Sequence, residues 1–247
     1  MSAYSGFAAH YDNFTQNVDY ARRADYILEL AAKFGHTPRQ VLDVACGTGS
    51  FTLEFAKRGL DVIGVDISAD MLAVARARTD KSDILFLQQD MCQLDLYGTV
   101  DTAVCMLDGV NHIADEDDVD RFFGRMALFV EPGGLFIFDA NTLYKHREIL
   151  ACNCFVYEHD TAVCIWRNNL LDDNATVEIS LDIFEEADGV YRRYCEDFEQ
   201  RAYTPEFFKQ TLLKNGFDTL GVFDDLSMRE LKDDSQRMIV VARKRPD

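Results

Sequence analysis

Apolar and polar positions change rhythm along this chain. From residue 40 to about 140, short apolar runs alternate with amphipathic stretches, which predicts strands at 40 to 45, 61 to 66, 83 to 88, 101 to 107 and 134 to 139. Helices are expected between them over 50 to 58 and 68 to 79, and a further one opens at Asp115-Glu116-Asp117-Asp118 and runs to about 130. Ser68 stands where an N-cap is needed, and the acids at 70 and 115 to 118 suit the positive end of a helix dipole. Strands alternating with helices build a mostly parallel sheet covered on both faces, an α/β Rossmann-like fold.

After Leu150 the rhythm becomes that of successive strands. Phe155 to Trp166, Ala175 to Glu185 and Val190 to Gln200 read as three antiparallel strands separated by Asn, Asp and Gly turns. Thr204-Pro205 then opens a helix to about Asn215, where Gly216 ends it, and strands at 217 to 223 and 236 to 243 can pair antiparallel at the sheet edge. There is no internal repeat or low-complexity linker, and only 4 prolines. The expected organisation is a single domain over 1–247, with an N-terminal helical arm over 1–35 and an inserted antiparallel β lid over 151–203 lying above the ligand end of the main sheet.

Composition narrows the partners. A net charge of -18 with no basic stripe argues against nucleic acid, whose phosphates would be repelled. No run approaches the roughly 20 apolar residues of a membrane span, and the seven cysteines follow no apolar leader, so a reduced, cytoplasmic protein is expected. Cys152 and Cys154 form a C-x-C pair without a matching second pair and read as strand residues, with no metal site expected.

Candidate chemistry lies in the first two strands. Val41-Leu42-Asp43-Val44-Ala45-Cys46-Gly47-Thr48-Gly49-Ser50 is an apolar strand running into two glycines, and Gly64-Val65-Asp66-Ile67-Ser68 is a second strand ending in an acid. Gly47 and Gly49 allow a sharp turn close to a ligand, and Asp66 is placed for both hydroxyls of a ribose. Two details oppose a dinucleotide: Thr52 replaces the third glycine of G-x-G-x-x-G, and Asp43 would set negative charge beside a phosphate. A cofactor without phosphates and with a positive centre fits better.

This ordered set resembles the first two motifs of class I S-adenosylmethionine-dependent methyltransferases. The resemblance continues through Gln89-Asp90-Met91 and Leu128-Phe129-Val130-Glu131-Pro132-Gly133-Gly134-Leu135, covering roughly residues 4 to 145. It implies a seven-stranded sheet whose last strand is antiparallel, with S-adenosylmethionine as cofactor and S-adenosylhomocysteine as product. It also implies that Ala45, Gly47 and Gly49 follow the methionine part and that Asp43 reaches its ammonium, although Asp43 also reads as a residue that orders the glycine turn. Asp66 would meet the ribose, Ile67 would border the cofactor, and Asp90 and Met91 would meet the adenine. Met71 covers the adenine face or fills the core. A narrower similarity, to amino-sugar N-methyltransferases and bacterial relatives, places Tyr11, a candidate catalytic residue, and Tyr20 over the sulfonium end, against the alternative of aromatics packed on the sheet.

The fourth strand ends in Met106-Leu107-Asp108-Gly109-Val110-Asn111-His112. The N/D-P-P-Y/F sequence that methyltransferases of amide and base nitrogens carry here is absent, so a small-molecule acceptor with an N or O nucleophile is expected. Leu107 would border the cofactor, and His112 is a candidate general base, with a structural histidine as its alternative. Asp108, Asp139 and Asn141 read either as three oxygen ligands or, for the last two, as helix caps. In the lid, Tyr157, Trp166, Tyr191, Tyr194 and Tyr203 can face the acceptor. The competing functions are a nicotinamide-dependent oxidoreductase and a cofactor-binding regulatory protein without turnover. Either a monomer or a homodimer is compatible with the sequence.

Overall fold

The structure, a computed structural model, describes residues 8–15, 17–79, 84–159 and 162–246. Two helices come first, α1 (Ala8–Phe14) and α2 (Tyr20–Lys33), and residues 1–7 and 16 of the expected arm lie outside the described residues. The central alternation follows as β1 (Gln40–Val44), α3 (Ser50–Lys57), β2 (Asp61–Asp66), α4 (Ala69–Ala77), β3 (Leu85–Gln88), β4 (Val100–Cys105), α5 (Glu116–Phe129) and β5 (Val130–Asn141). Ser68 caps α4 by accepting from the Met71 N–H, and Asp115 caps α5 by accepting from the Asp117 N–H, as their positions in the sequence imply. Residue 83, the expected start of the third strand, is outside the described residues.

Four antiparallel strands come next: β6 (Cys154–His159), β7 (Ala162–Leu170), β8 (Thr176–Ala187) and β9 (Val190–Arg201). The single strand expected over 155 to 166 is therefore a hairpin, with His159 opposite Ala162. The segment holds no Gly or Pro, and Asp160 alone among its residues is a turn former, which is too weak a signal to divide it in the sequence. The chain ends with α6 (Pro205–Lys214), β10 (Phe217–Asp224) and β11 (Arg237–Lys244), and the Thr204 side chain caps α6.

The main sheet has the order β10-β11-β5-β4-β1-β2-β3 and the second sheet β6-β7-β8-β9. In the main sheet β11 is antiparallel to both neighbours and lies between β10 and β5, so β10 forms the edge. Strand β5 starts earlier than expected, with Val130 paired to Val100, and a register shift then absorbs the Glu131-Pro132-Gly133-Gly134 segment. A Cβ on Gly134 would come within 2.6 Å of the Asp101 carbonyl oxygen, so only glycine lets the two strands close there.

Burial explains why β5 reads as a continuous apolar run. Phe136 and Phe138 face one side with Phe122, Phe123 and Phe208, whereas Leu135 and Ile137 face the other with Ile27, Leu30 and Phe55. Phe123 packs edge-on to Phe136 at 5.6 Å and touches Phe138 at 5.3 Å between centroids. A third cluster joins the second sheet to the first: Cys164, Ile179 and Leu181 pack with Ala8 of α1 and Met71 of α4.

Phe123→Ala should leave a void under β5 and lower unfolding free energy by about 3–5 kcal/mol, read from urea unfolding of the full chain.

Candidate active site

A cavity of about 500 Å³ opens at the carboxyl ends of the parallel strands, beneath the second sheet. This is where the sheet order reverses between β1 and β4, the place open α/β sheets reserve for ligands. Tyr11, Tyr20, Asp43, Ala45, Gly47, Asp66, Ile67, Met71, Asp90, Met91, Leu107 and His112 all line it. Gly49, also singled out in the sequence, does not. It precedes α3 at φ 76°, and a Cβ there would stand 3.1 Å from the Ala75 Cβ, so it lets the glycine turn close onto α4.

The turn after β1 is held from several sides. The Gly47 N–H donates to Asp66 Oδ2 at 2.8 Å and the Ser68 N–H to Asp66 Oδ1 at 2.8 Å, fixing the carboxylate with both oxygens at the cavity. Burial raises the Asp66 pKa, against the pull of these backbone donors. Thr52 donates from Oγ1 to Asp43 Oδ2 at 2.6 Å, so the residue that breaks the dinucleotide pattern is the partner of the acid that also breaks it. Asp43 is buried, and its removal from water pushes its pKa up to about 7. Ala45 is itself left-handed at φ 56°, an unusual strain for a residue with a Cβ.

The arm is fastened to this turn. Asp12 Oδ1 accepts from Thr48 Oγ1 at 2.8 Å and from Ser50 Oγ at 3.3 Å, while Oδ2 pairs with Arg78 at 2.9 Å. Tyr11 is thereby brought to the cavity, and Tyr20 reaches it with its ring edge-on to Phe51 at 5.3 Å. On the far side of the turn, Asp90 accepts from the Cys92 N–H at 2.8 Å and caps a short 3-10 turn, Met91–Gln93.

The end of β4 is built on a different principle. Leu107 and Asp108 are both left-handed, at φ 55° and 58°, and their N–H groups donate to the two oxygens of Asp139 at 3.0 and 2.6 Å. Arg237 of β11 bridges Asp139 at 2.9 Å and Asp108 at 2.7 Å. Asp108 is held down to about 2, mainly by this guanidinium acting against burial. The expectation that Asp139 and Asn141 cap a helix is not met: Asp139 orders the turn after β4, and the Asn141 N–H donates to Asn111 Oδ1 at 2.8 Å. A guanidinium stands between Asp108 and Asp139, and no metal-binding group of three His, Cys, Asp or Glu occurs among the described residues.

His112 ends the 3-10 turn Gly109–His112, its ring 5.1 Å from that of Phe198. Gln200 of β9 donates from Nε2 to Asp108 Oδ2 at 2.6 Å and stands 3.1 Å from His112 Nε2. Because that amide nitrogen is a donor, His112 Nε2 accepts and its ring is neutral with the proton on Nδ1. Burial lowers the His112 pKa, against Asp108 and Asp66, and this keeps the ring neutral.

Gln200, Arg237 and Lys145 line the cavity and were not marked in the sequence, where they carry no motif. Of the aromatic residues expected in the lid, Trp166 and Tyr157 line the cavity. Tyr191 is exposed, Tyr194 donates to Glu185, and Tyr203 is buried with its hydroxyl on the Ile113 carbonyl at 2.6 Å.

Comparison with known proteins agrees with this geometry. Residues 41–134 match the family described as "Methyltransferase domain". A protein named as a methyltransferase in Geobacillus sp. (strain WCH70) is 30% identical over 245 residues, covering 98% of this chain and 99% of the other. A crystal structure of an S-adenosylmethionine-dependent methyltransferase from Clostridium acetobutylicum ATCC 824 superposes with a TM-score of 0.88 at 29% identity, over 98% of this chain and 99% of that one. The dTDP-3-amino-3,6-dideoxy-alpha-D-glucopyranose N,N-dimethyltransferase of Streptomyces fradiae is 33% identical over 119 residues, 48% of this chain and 46% of its own. The chain belongs to the S-adenosylmethionine-dependent methyltransferases.

Arg237→Met should strand one fully buried and one partly buried carboxylate and cost about 3–5 kcal/mol, measured by denaturant unfolding, with much of the loss restored when Asp108→Asn and Asp139→Asn are added.

Proposed function

We propose that this enzyme methylates a nitrogen or oxygen of a small molecule, with the second sheet acting as a lid over the acceptor. One observation carries the reading: a single cavity joins an acid-lined cofactor half at β1 and β2 to a polar floor at β4 that holds a neutral histidine. Among the described residues, no basic side chain lines the cavity beside the glycine turn, since Lys145 and Arg237 both stand on the β5 and β11 side. That donor set suits a nucleoside with an ammonium and no phosphate, and it disfavours a dinucleotide.

When bound, S-adenosylmethionine supplies an electrophilic methyl group on a sulfonium. In this reading Asp66 accepts from the ribose hydroxyls, Asp90 and the Met91 backbone meet the adenine with Met71 and Ile67 beside it, and Asp43 faces the ammonium. Ala45, Gly47 and Leu107 shape the floor, and Tyr11 and Tyr20 close the sulfonium end from the arm. Most of the acceleration comes from alignment of acceptor and methyl group, which the arm and the lid enforce by closing the cavity from two sides. His112 takes the proton that an N–H or O–H acceptor sheds, at the Nε2 lone pair now facing Gln200. Gln200 thus keeps the base in its accepting tautomer until an acceptor replaces that contact.

Calorimetric titration tests the cofactor half. The wild type should bind S-adenosylmethionine and S-adenosylhomocysteine but not NADH, and Asp66→Ala should weaken both by about tenfold or more, roughly 1.4 kcal/mol. Binding of NADH alone, or affinity that Asp66→Ala leaves unchanged, overturns the assignment. A pH series adds an independent readout. Free Asp43 is half-protonated near its raised pKa of about 7, and a facing ammonium favours its ionised form, so binding sheds a proton there. Affinity for S-adenosylhomocysteine should therefore rise from pH 6 to 8, with proton release visible in buffers of different ionisation enthalpy, and Asp43→Asn should abolish that release.

A further inference from the structure

The half of the cavity away from the glycine turn has an apolar roof and one cation with no carboxylate in salt-bridge range among the described residues. Phe155, Trp166, Leu181 and Phe198 of the second sheet line the roof, and Asp108, Lys145 and Arg237 supply the charged groups below. Arg237 is committed to Asp108 and Asp139. Lys145 is half-buried, its Nζ donates to the neutral Oδ1 of Asn141 at 2.9 Å, and it makes no salt bridge among the described residues.

An ammonium held partly out of water is costly unless an anion faces it. Burial, and then the nearby Arg237, lower the Lys145 pKa to about 8 against the upward pull of Asp108 and Asp139, which stand near it without forming a salt bridge, and this still leaves it mostly charged at neutral pH. The site thus offers one positive charge beside an aromatic and aliphatic wall.

Building on the small-molecule reading above, we propose that the methyl acceptor is a monoanion with an apolar body, its carboxylate held by Lys145 and its apolar part seated against Phe155, Trp166 and Phe198. A phosphate or diphosphate fits this floor worse, because it brings two negative charges to one uncommitted cation with the Asp108 carboxylate on the same surface. Lys145 is then a specificity-determining residue, and the acceptor differs in kind from the dTDP-linked sugar named for the Streptomyces fradiae relative.

The test uses the full chain saturated with S-adenosylhomocysteine and titrated calorimetrically with matched probes. These are phenylacetate and phenylacetamide, indole-3-acetate and indole-3-acetamide, hexanoate and hexanamide, then phenyl phosphate and dTDP. At least one acid should bind about tenfold or more tighter than its amide and tighter than either phosphate. Lys145→Met should bring the acid-to-amide ratio close to one while affinity for S-adenosylhomocysteine stays within about twofold, which also reports that the variant is folded, and Lys145→Arg should retain the preference. Acids bound no better than amides, no acid bound at all, phosphates favoured over acids, or a preference that survives Lys145→Met each overturns the proposal. Failure of the wild type to bind S-adenosylhomocysteine removes the cofactor assignment and this inference together, so the two failures are told apart.

Discussion

Two carboxylates, Asp108 and Asp139, share one guanidinium, that of Arg237, and the reacting end of the cavity depends on this arrangement. Asp139 is fully buried, and burial drives its pKa up even though Arg237 draws it back. Its two oxygens are filled by the N–H groups of Leu107 and Asp108, which holds both residues in left-handed backbone conformations that cost free energy for residues other than glycine. The turn after β4 is thus set by charge rather than by packing, and Gly109 to His112 follow from it in a fixed direction. Because β11 lies between β10 and β5, its first residue, Arg237, reaches both acids, so the antiparallel last strand has a direct consequence for the site.

That dependence explains which parts of the site were legible in the sequence. The glycine turn and Asp66 are local: their residues are near neighbours in the chain, and strand, turn and helix impose spacings that survive in one dimension. The parallel strands were legible for a similar reason, since apolar runs and caps such as Ser68 and Asp115 report short-range physics. Arg237, Gln200 and Lys145 act across 129, 92 and 4 residues on Asp108, Asp108 and Asn141 respectively, and nothing in their flanking residues marks the two distant ones as site residues. Lys145, although local, sits in a π-helical turn, Lys145–Leu150, whose pattern is too short to read. The hairpin at 159 to 162 escaped for the opposite reason, because residues good for a strand lie on both sides of it.

Thr52 shows how a departure from a motif can be informative. Judged against the glycine pattern it only counts against a dinucleotide, whereas in the structure it is the hydroxyl that satisfies Asp43. Burial outweighs the hydroxyl and backbone hydrogen bonds that Thr52 gives this acid, so Asp43 is poised near neutrality instead of being locked in one charge state. Aspartate and threonine on adjacent elements therefore form one unit, and glycine at position 52 would leave the acid without that partner.

The two halves of the cavity differ in how tightly their parts are fixed, and the difference suits a shared cofactor with a variable acceptor. Around Asp66 and Asp90 the backbone itself donates, through Gly47, Ser68 and Cys92, so the geometry follows from the main sheet. Around His112 and Lys145 the contacts are made by side chains, and one of them, Gln200, comes from the second sheet. A change of one roof residue can alter what fits without disturbing the turn after β1, because the two sheets meet mainly through apolar packing at Met71, Leu181 and their neighbours. Polar ties come from the end of β9, where Arg201 bonds to the Ala114 carbonyl and to Glu116, and Gln200 joins the roof to the Asp108 carboxylate and to the imidazole. Movement of β9 would therefore be felt at His112 directly, and under the function proposed above that would couple closure over the acceptor to the state of the base.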